Sequence, residues 1–289
     1  MRNNTTPEPT GPERRRLRAH FGFSQLPFSK YTWAAEMFDS VSQREMLHGL
    51  LLWSDLHGVA LVSGQPGVGK SITLRRFVQE LDKARFRVID FTYVPSTATG
   101  FLRSLNRQLG LPMRCHATDL FDQAQRYLVG FEQEQGPHPL VLIDDAEGLS
   151  PEVLDLIRRL TCYELDAEDR FSVLFSGTDD LLASLRHPTL ASLRSRVAYA
   201  HGLHPFVFED ARNYIRHHLQ HADVDPKLLS DEAVRRIFLA SGGKPRNINQ
   251  LVLQALIQAA VQGRDSIDAD FVIAIIKDHP LYQNSAGER

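Results

Sequence analysis

The fold is decided by the stretch Val59-Ala-Leu-Val-Ser-Gly-Gln-Pro-Gly-Val-Gly-Lys-Ser-Ile72. Its first four residues form an apolar run that predicts a buried strand, and this run stops at Ser63. Residues 64–71 match the phosphate-binding loop G-x-x-x-x-G-K-[ST] at every fixed position. From Ile72 to Leu81 the apolar residues recur at helical spacing, so the loop should open a helix. Strand, loop and helix therefore stand in the order that the motif requires.

The residue types of this loop suit a bound triphosphate. Glycine lets the backbone approach the phosphates closely, and the N–H groups and the positive end of the helix dipole hold the anion. Lys70 is expected to reach the β- and γ-phosphates, and the Ser71 hydroxyl to take a Mg²⁺ position. The nucleotide-binding residues predicted in this way are Gly64, Gln65, Pro66, Gly67, Val68, Gly69, Lys70, Ser71 and Ile72.

A second motif follows another apolar run, Leu140-Val-Leu-Ile143, which ends in two acids. Open α/β sheets bind ligands in the crevice beyond the carboxyl ends of their strands. Asp144 is expected to hold Mg²⁺, directly or through water, and Asp145 to orient or deprotonate the attacking water. Two acids after a strand are common by chance, but this pair follows the phosphate loop by two βα units. The combination is therefore far more specific than either motif alone.

Alternating strand and helix patterns up to about residue 205 predict a parallel α/β sheet. The remaining strands are expected at 86–93, 171–178 and 197–204. Thr178 or Ser176, at the end of one of them, could bond the water or the γ-phosphate, or could equally serve the turn. From Phe206 onward only helices are predicted, at 209–220, 231–241, 247–261 and 268–277. We expect a disordered basic tail at 1–17, an α/β core at 18–205, a helical domain at 206–280 and a disordered tail at 281–289.

Composition limits the other possibilities. The chain has 289 residues and a formal net charge of −2, so any contact with nucleic acid has to come from a local patch. No apolar run approaches the roughly 18 residues of a membrane span, and the first residues do not form a secretory signal, so a cytoplasmic location is expected. The basic cluster at 13–20 either contacts a phosphate backbone or an acidic partner, or is a solvated face that leads into the fold. The aromatic segment Phe21–Phe28 has to dock on other residues, since its rings would otherwise face water.

With these motifs placed, the chain resembles AAA+ ATPases, and within them the ExeA/GspA-like branch that includes transposition regulators of the TnsC, TniB and MuB kind. The resemblance rests on Phe21-Gly-Phe with Pro27-Phe-Ser29, Gly64 to Ser71, Leu142-Ile-Asp-Asp-Ala146, Leu193-Arg-Ser-Arg-Val197 and Gly242-Gly-Lys-Pro-Arg-Asn-Ile-Asn249. It implies an α/β P-loop NTPase fold with a five-stranded parallel sheet, followed by a small all-helical lid. It also implies ATP and Mg²⁺ as cofactors, and a homo-oligomer, ring or filament, whose sites a neighbouring subunit completes.

The resemblance also implies roles for single residues. Arg246 matches the lid arginine that contacts the γ-phosphate, and Arg196, with Arg194 as its rival, matches the arginine supplied in trans. Thr178 falls in the sensor-1 region at the end of a strand. One departure is that Asp145 stands where the family usually has glutamate, one methylene longer. Hydrolysis is therefore expected to be slow, or to rely on Glu147, as suits a switch that persists in its ATP-bound form.

By this resemblance, the leading functional hypothesis is an ATP-dependent regulator of transposition that selects target DNA and recruits a transposase. Secretion members of the branch typically add a membrane span and a cell-wall-binding domain, which we do not expect here because the sequence stops at Arg289. The alternatives are a cytoplasmic ATPase of a secretion or envelope-assembly system and an ATP-gated scaffold with little hydrolysis. The candidate duplex-DNA contacts are Arg103, Arg107, Arg14, Arg15, Arg16 and Arg18.

Overall fold

The computed structural model describes residues 12–28, 37–91, 95–133, 136–162 and 169–282, without the side chains of 12–16 and 131–133. The chain divides into two compact units. One is the α/β unit, Val41–His204, and the other joins the described residues up to Ser40 with those from Pro205 onward. No helix within these ranges is long and apolar enough to span a bilayer.

The α/β unit is built on five strands that all pair in parallel, in the order β2-β3-β4-β1-β5, so the predicted sheet is confirmed. The strands are β1 (Val59–Gly64), β2 (Phe86–Phe91), β3 (His138–Ile143), β4 (Ser172–Gly177) and β5 (Val197–Leu203). The helices are α2 (Val41–Leu56), α3 (Lys70–Glu80), α4 (Ala98–Gln108), α5 (Ala117–Gln133), α6 (Pro151–Thr161), α7 (Asp179–Leu185) and α8 (Ala191–Arg194).

Both faces of this sheet are covered, which is why its central strands read as continuous apolar runs. Successive side chains of β1 point to opposite faces: Val59 and Leu61 join one buried cluster, and Ala60 and Val62 join another. Helices α4, α5 and α6 supply the first cluster, and α2 and α3 supply the second. The sheet is therefore the middle layer of three, and ligand access is left to its ends.

Local capping signals in the sequence set several helix starts. The Ser150 hydroxyl accepts a hydrogen bond from the Val153 amide, and Pro151 follows it as the first residue of α6. The Thr97 hydroxyl accepts from the Gly100 amide at the start of α4 in the same way. Helix α6 ends at Thr161, and residues 163–168 lie outside the described part of the chain.

The helical unit contains α1 (Pro12–Phe21), α9 (Phe208–His221), α10 (Asp231–Ser241), α11 (Pro245–Val261) and α12 (Ala269–Asp278). The predicted aromatic docking takes place in this unit. Phe23 and Phe28 are buried in its core, and the Phe28 ring lies 4.8 Å from His218 and 6.3 Å from Tyr214, centroid to centroid.

The ends of the chain therefore depart from the expected boundaries. Residues 12–17, expected to be disordered, form the first part of α1, because Leu17 is buried against the helical core. The described residues 18–28 and 37–40, expected in the α/β core, group with the helical unit. Tyr282, expected in a disordered tail, is buried and donates a hydrogen bond to Gln250 Oε1 at 2.8 Å. Residues 1–11 and 283–289 of the predicted tails lie outside the described residues.

Candidate functional site

The phosphate loop lies between β1 and α3, and two of its positions favour glycine, one because of a close backbone contact and the other because of its positive φ. A Cβ on Gly64, whose φ is +157°, would lie 2.4 Å from the Leu203 carbonyl oxygen. A Cβ on Gly69, whose φ is +113°, would lie 2.6 Å from Gln43 Nε2. The loop therefore keeps its backbone exposed at the N-terminus of α3, where N–H groups and the helix dipole favour an anion.

Lys70, the first residue of α3, turns its side chain back over this loop. Its ammonium group donates to the Gly64 carbonyl at 2.7 Å and to the Gln65 carbonyl at 3.4 Å, and the residue is 7% exposed. A lysine ammonium has three donors, so one remains for a ligand after these two contacts. The positive charge is thus held at the concave side of the loop, where a phosphate chain would lie.

The structure brings Ser71 and Asp144 together, although 73 residues separate them in sequence. The Ser71 hydroxyl donates to Asp144 Oδ2 at 2.6 Å. Neighbouring ligands of an octahedral Mg²⁺ lie about 3 Å apart, because each metal–oxygen distance is about 2.1 Å. A hydroxyl and a carboxylate oxygen at this separation form a hard-donor pair that fits Mg²⁺ as two of its ligands.

The other Asp144 oxygen is also held. Ser176, fully buried near the end of β4, donates its hydroxyl to Asp144 Oδ1 at 2.7 Å, and the Asp145 amide donates to the same oxygen at 3.1 Å. Desolvation, and then the negative charge of Asp144, raises the pKa of Asp90 on the neighbouring strand. A bound cation would relieve the repulsion between these two carboxyl groups.

The two acids that compete for the role of base differ in what they touch. Asp145 is exposed and adopts a left-handed backbone conformation with φ of +52°. Glu147 is half-buried in the 3₁₀ turn after β3, and its Oε2 accepts a hydrogen bond from the Thr178 amide at 3.2 Å. Glu147 therefore stabilises the end of β4, while Asp145 is an exposed residue shortly after the end of β3.

Thr178 lies at the same edge, directly after β4. Its Oγ1 is buried and has no hydrogen-bond partner within the described part of the chain. A buried hydroxyl without a partner is costly, unless a ligand or a bound water supplies one. This position is the one predicted for a contact with the γ-phosphate or with the attacking water.

The predicted arginines are spread over both units. The Arg196 guanidinium lies 3.4 Å from Cys162 Sγ through Nη2, and Arg194 Nη1 donates to the Leu185 carbonyl at 3.0 Å. Arg246 is exposed in the first turn of α11, within the helical unit. The roles in trans and at the γ-phosphate remain predictions for Arg196 and Arg246.

The candidate DNA contacts also divide. Arg103 and Arg107 are exposed one turn apart on α4. Arg18 donates to the Phe23 carbonyl at 3.3 Å and to the Ser24 carbonyl, so its guanidinium stabilises the turn after α1. Arg14, Arg15 and Arg16 lie on α1, but their side chains are outside the described part of the structure.

Sequence reasoning missed two contacts that shape this site. The Gln43 side chain on α2 reaches the phosphate loop at Gly69, which the sequence did not predict. Ser176 was considered for the water, the γ-phosphate or a turn, and the structure places it on Asp144 instead. No local pattern indicated either contact, because each joins residues far apart in sequence.

Comparisons with known proteins show which sequences and folds this chain is similar to. Residues 54–185 match the sequence profile of the AAA domain family. The chain is 31% identical over 278 residues to general secretion pathway protein A of Aeromonas hydrophila, a match that covers 91% of this chain and 50% of that protein. The chain thus spans about half the length of this curated relative.

Solved structures of low sequence identity share the fold. Cdc6p of Pyrobaculum aerophilum has a TM-score of 0.65 at 20% identity, covering 83% of this chain and 67% of that one. ORC2 of Aeropyrum pernix, in ADPNP–ADP complexes, has a TM-score of 0.64 at 16% identity, covering 85% and 69%. RuvB of Thermotoga maritima, a Holliday junction branch migration motor, has 0.55 at 17%, covering 87% and 72%. The chain therefore shares its fold with these structures, and residues 54–185 of its α/β unit are similar to the AAA domain family.

Proposed function

We propose that this chain is an ATPase that binds ATP with Mg²⁺ and hydrolyses it slowly. The observation that carries the proposal is the 2.6 Å contact between Ser71 Oγ and Asp144 Oδ2, beside a phosphate loop whose lysine is already folded inward. The shared fold with an ADPNP–ADP-bound protein, ORC2, supports the choice of nucleotide.

The roles of the residues follow from their positions. The loop amides and Lys70 would bind the β- and γ-phosphates, and Ser71 with Asp144 would hold Mg²⁺. Bound Mg²⁺ would supply charge neutralisation at the phosphates. Asp145 would accept a proton from water, and the Thr178 hydroxyl would donate to that water or to the γ-phosphate; the exposure of Asp145 and the buried, unpartnered Thr178 Oγ1 support these roles. Because aspartate is one methylene shorter than glutamate, a misplacement of about 1 Å costs on the order of 100-fold in rate.

Two measurements test this proposal. Isothermal titration calorimetry with a non-hydrolysable ATP analogue should show binding that is tighter with Mg²⁺ than with EDTA. Phosphate release by the wild type should be slow, and Asp145→Glu should accelerate it by about 10- to 100-fold. Equal and fast release by both proteins would refute slow hydrolysis, and the absence of nucleotide binding would refute the ATPase itself.

The similarity to general secretion pathway protein A favours a role in a secretion or envelope-assembly system, with a cytoplasmic location. On this proposal, homo-oligomers formed with ATP would act on a membrane protein complex. Light scattering with and without ATP would measure the assembly, and purification from membranes after crosslinking would identify the partner. Unchanged mass with ATP would contradict the proposed ring or filament.

A second candidate is ATP-dependent binding of duplex DNA as a transposition regulator that recruits a transposase. Two exposed arginines one turn apart on α4, Arg103 and Arg107, favour it, since such pairs contact phosphates well. Electron microscopy with an ATP analogue should then show rings or filaments only when duplex DNA is present. The double variant Arg103→Glu/Arg107→Glu should lose the assembly while keeping nucleotide binding. Assembly that ignores DNA would exclude this candidate in favour of the secretion role.

A further inference from the structure

Asp144 is held at both of its carboxylate oxygens, and each oxygen accepts a different hydroxyl. Oδ2 accepts from Ser71 at 2.6 Å on the loop side, and Oδ1 accepts from Ser176 at 2.7 Å on the sheet side. Ser176 is 0% exposed, so its hydroxyl cannot bond to bulk solvent and donates to Asp144 Oδ1 instead. The Asp145 amide adds a longer contact of 3.1 Å to Oδ1.

Strand order explains why a residue of β4 reaches this carboxylate. Strand β4 lies between β3, which ends just before Asp144, and β1, which leads into the phosphate loop. Ser176 pairs with Val62 of β1, two residues before that strand ends, while β3 pairs with β4 up to Ile143 and Phe175. Ser176 therefore stands beside the point where the carboxylate leaves β3.

We propose that Ser176 is a positioning residue that fixes the Asp144 carboxylate so that Oδ2 faces Ser71 and the metal. The inference rests on the proposed binding of a nucleotide with Mg²⁺. The terminal torsion of an aspartate side chain is broad, so a carboxylate held at one oxygen only can rotate. The Ser176 hydroxyl restricts that rotation by holding the opposite oxygen, so Oδ2 would already be oriented to bind a metal ion.

Loss of this hydroxyl should weaken the binding of the metal ion and leave the binding of the nucleotide unchanged. Removing a hydrogen-bonding partner of a metal ligand typically costs 10- to 100-fold in metal affinity. Because the Asp145 amide still holds Oδ1, we expect the lower end of that range, about a 10-fold rise in the Mg²⁺ concentration at half-saturation. Nucleotide binding in EDTA should stay at the wild-type level, since the Ser176 hydroxyl bonds to Asp144, whereas Lys70 is held by the carbonyls of the phosphate loop.

A matched control is available on the same strand. Ser172 is also 0% exposed, and its hydroxyl lies 3.0 Å from His138 Nε2 at the opposite end of β4. Ser172→Ala and Ser176→Ala therefore remove the same hydroxyl group from equally buried positions. Each substitution removes one side-chain hydrogen bond. A general loss of stability should affect both variants alike.

The experiment titrates Mg²⁺ against each protein with a fluorescent, non-hydrolysable ATP analogue at fixed concentration, and repeats the titration with Mn²⁺ by electron paramagnetic resonance. We expect Ser176→Ala to need about 10-fold more of either metal, and Ser172→Ala to match the wild type. If Ser176→Ala does not fold, Ser176→Cys keeps the side-chain size with a weaker donor and should show a several-fold rise.

If Ser176→Ala reached half-saturation at the same Mg²⁺ concentration as the wild type, this inference would be overturned while the proposed function stood. An equal rise of that concentration in Ser172→Ala would overturn it in the same way. If the wild type showed no Mg²⁺-dependent nucleotide binding, the proposed function would fall and take the inference with it. The two failures are therefore distinguishable in one set of titrations.

Discussion

Glu147→Ala should destabilise the α/β unit, whereas Glu147→Gln should leave both its stability and its ATP hydrolysis nearly intact. In the structure Glu147 Oε2 accepts the Thr178 amide hydrogen at 3.2 Å, and thereby ties the turn after β3 to the end of β4. Glutamine keeps an oxygen that can accept this bond, while alanine leaves the half-buried amide without its partner. The two substitutions therefore separate a bracing role from the role of catalytic base.

The expected size follows from this contact. A hydrogen bond to a charged group contributes about 1.5–3 kcal/mol to the free energy of unfolding, and the half-buried position of Glu147 points to the lower end, about 1.5 kcal/mol. For a unit of this size 1 kcal/mol moves Tm by about 2–4 °C, so Glu147→Ala should lower Tm by about 3–6 °C. Glu147→Gln loses only the charge and should lower Tm by less than about 2 °C.

Differential scanning calorimetry measures the Tm, and a phosphate-release assay measures hydrolysis in the same preparations. Asp145→Asn is the matched control, because Asp145 is exposed at the site and removing a catalytic base typically costs 10²–10⁴ in rate. We expect Asp145→Asn to be slow but stable, and Glu147→Gln to be active and stable. The reasoning is refuted if Glu147→Gln loses 100-fold or more in rate while Asp145→Asn stays active, since Glu147 would then be the base.

Three further predictions concern other parts of the chain. Lys70→Ala, which removes the ammonium group folded over the loop, should abolish detectable binding of an ATP analogue by calorimetry, and retained binding would contradict the site. Gly64→Ala places a Cβ 2.4 Å from the Leu203 carbonyl oxygen at a φ of +157°. It should therefore lower the free energy of unfolding, measured in urea, by about 1–3 kcal/mol. An unchanged urea midpoint would contradict this close contact. Burial, and then the charges of two neighbouring histidines, lowers the pKa of His218 to about 3 in the folded state. In the unfolded state the pKa of a histidine is near 6.5, so as the pH falls the unfolded state binds the proton at a higher pH than the folded state does. The helical unit should therefore lose about 2 kcal/mol of stability between pH 7 and pH 5, and His218→Leu should flatten this dependence in urea titrations at each pH; an equal slope in both proteins would contradict it.

Patterns among residues that are close in sequence were enough to predict most of the strands and helices. The run Val59–Val62 followed by the glycine-rich loop predicted β1, the loop and α3 in the right order, because apolar periodicity and glycine placement are properties of neighbouring residues. The parallel sheet followed from the same alternation, and its five strands came from the family resemblance. The start of α6 was marked by Ser150 and Pro151, whose capping chemistry acts within one turn.

The sequence by itself thus determined most of the segments that become strands and helices, and which residue types could hold a phosphate and a metal. Only the tertiary structure decided that Leu17 and Phe28 pack with the C-terminal helices, that Ser176 holds Asp144, and that Glu147 braces Thr178. These contacts join residues that lie on different strands or at opposite ends of the chain. Strand order and the burial of apolar surface determine which residues meet in these contacts. Neither can be predicted from the residues that are adjacent in sequence.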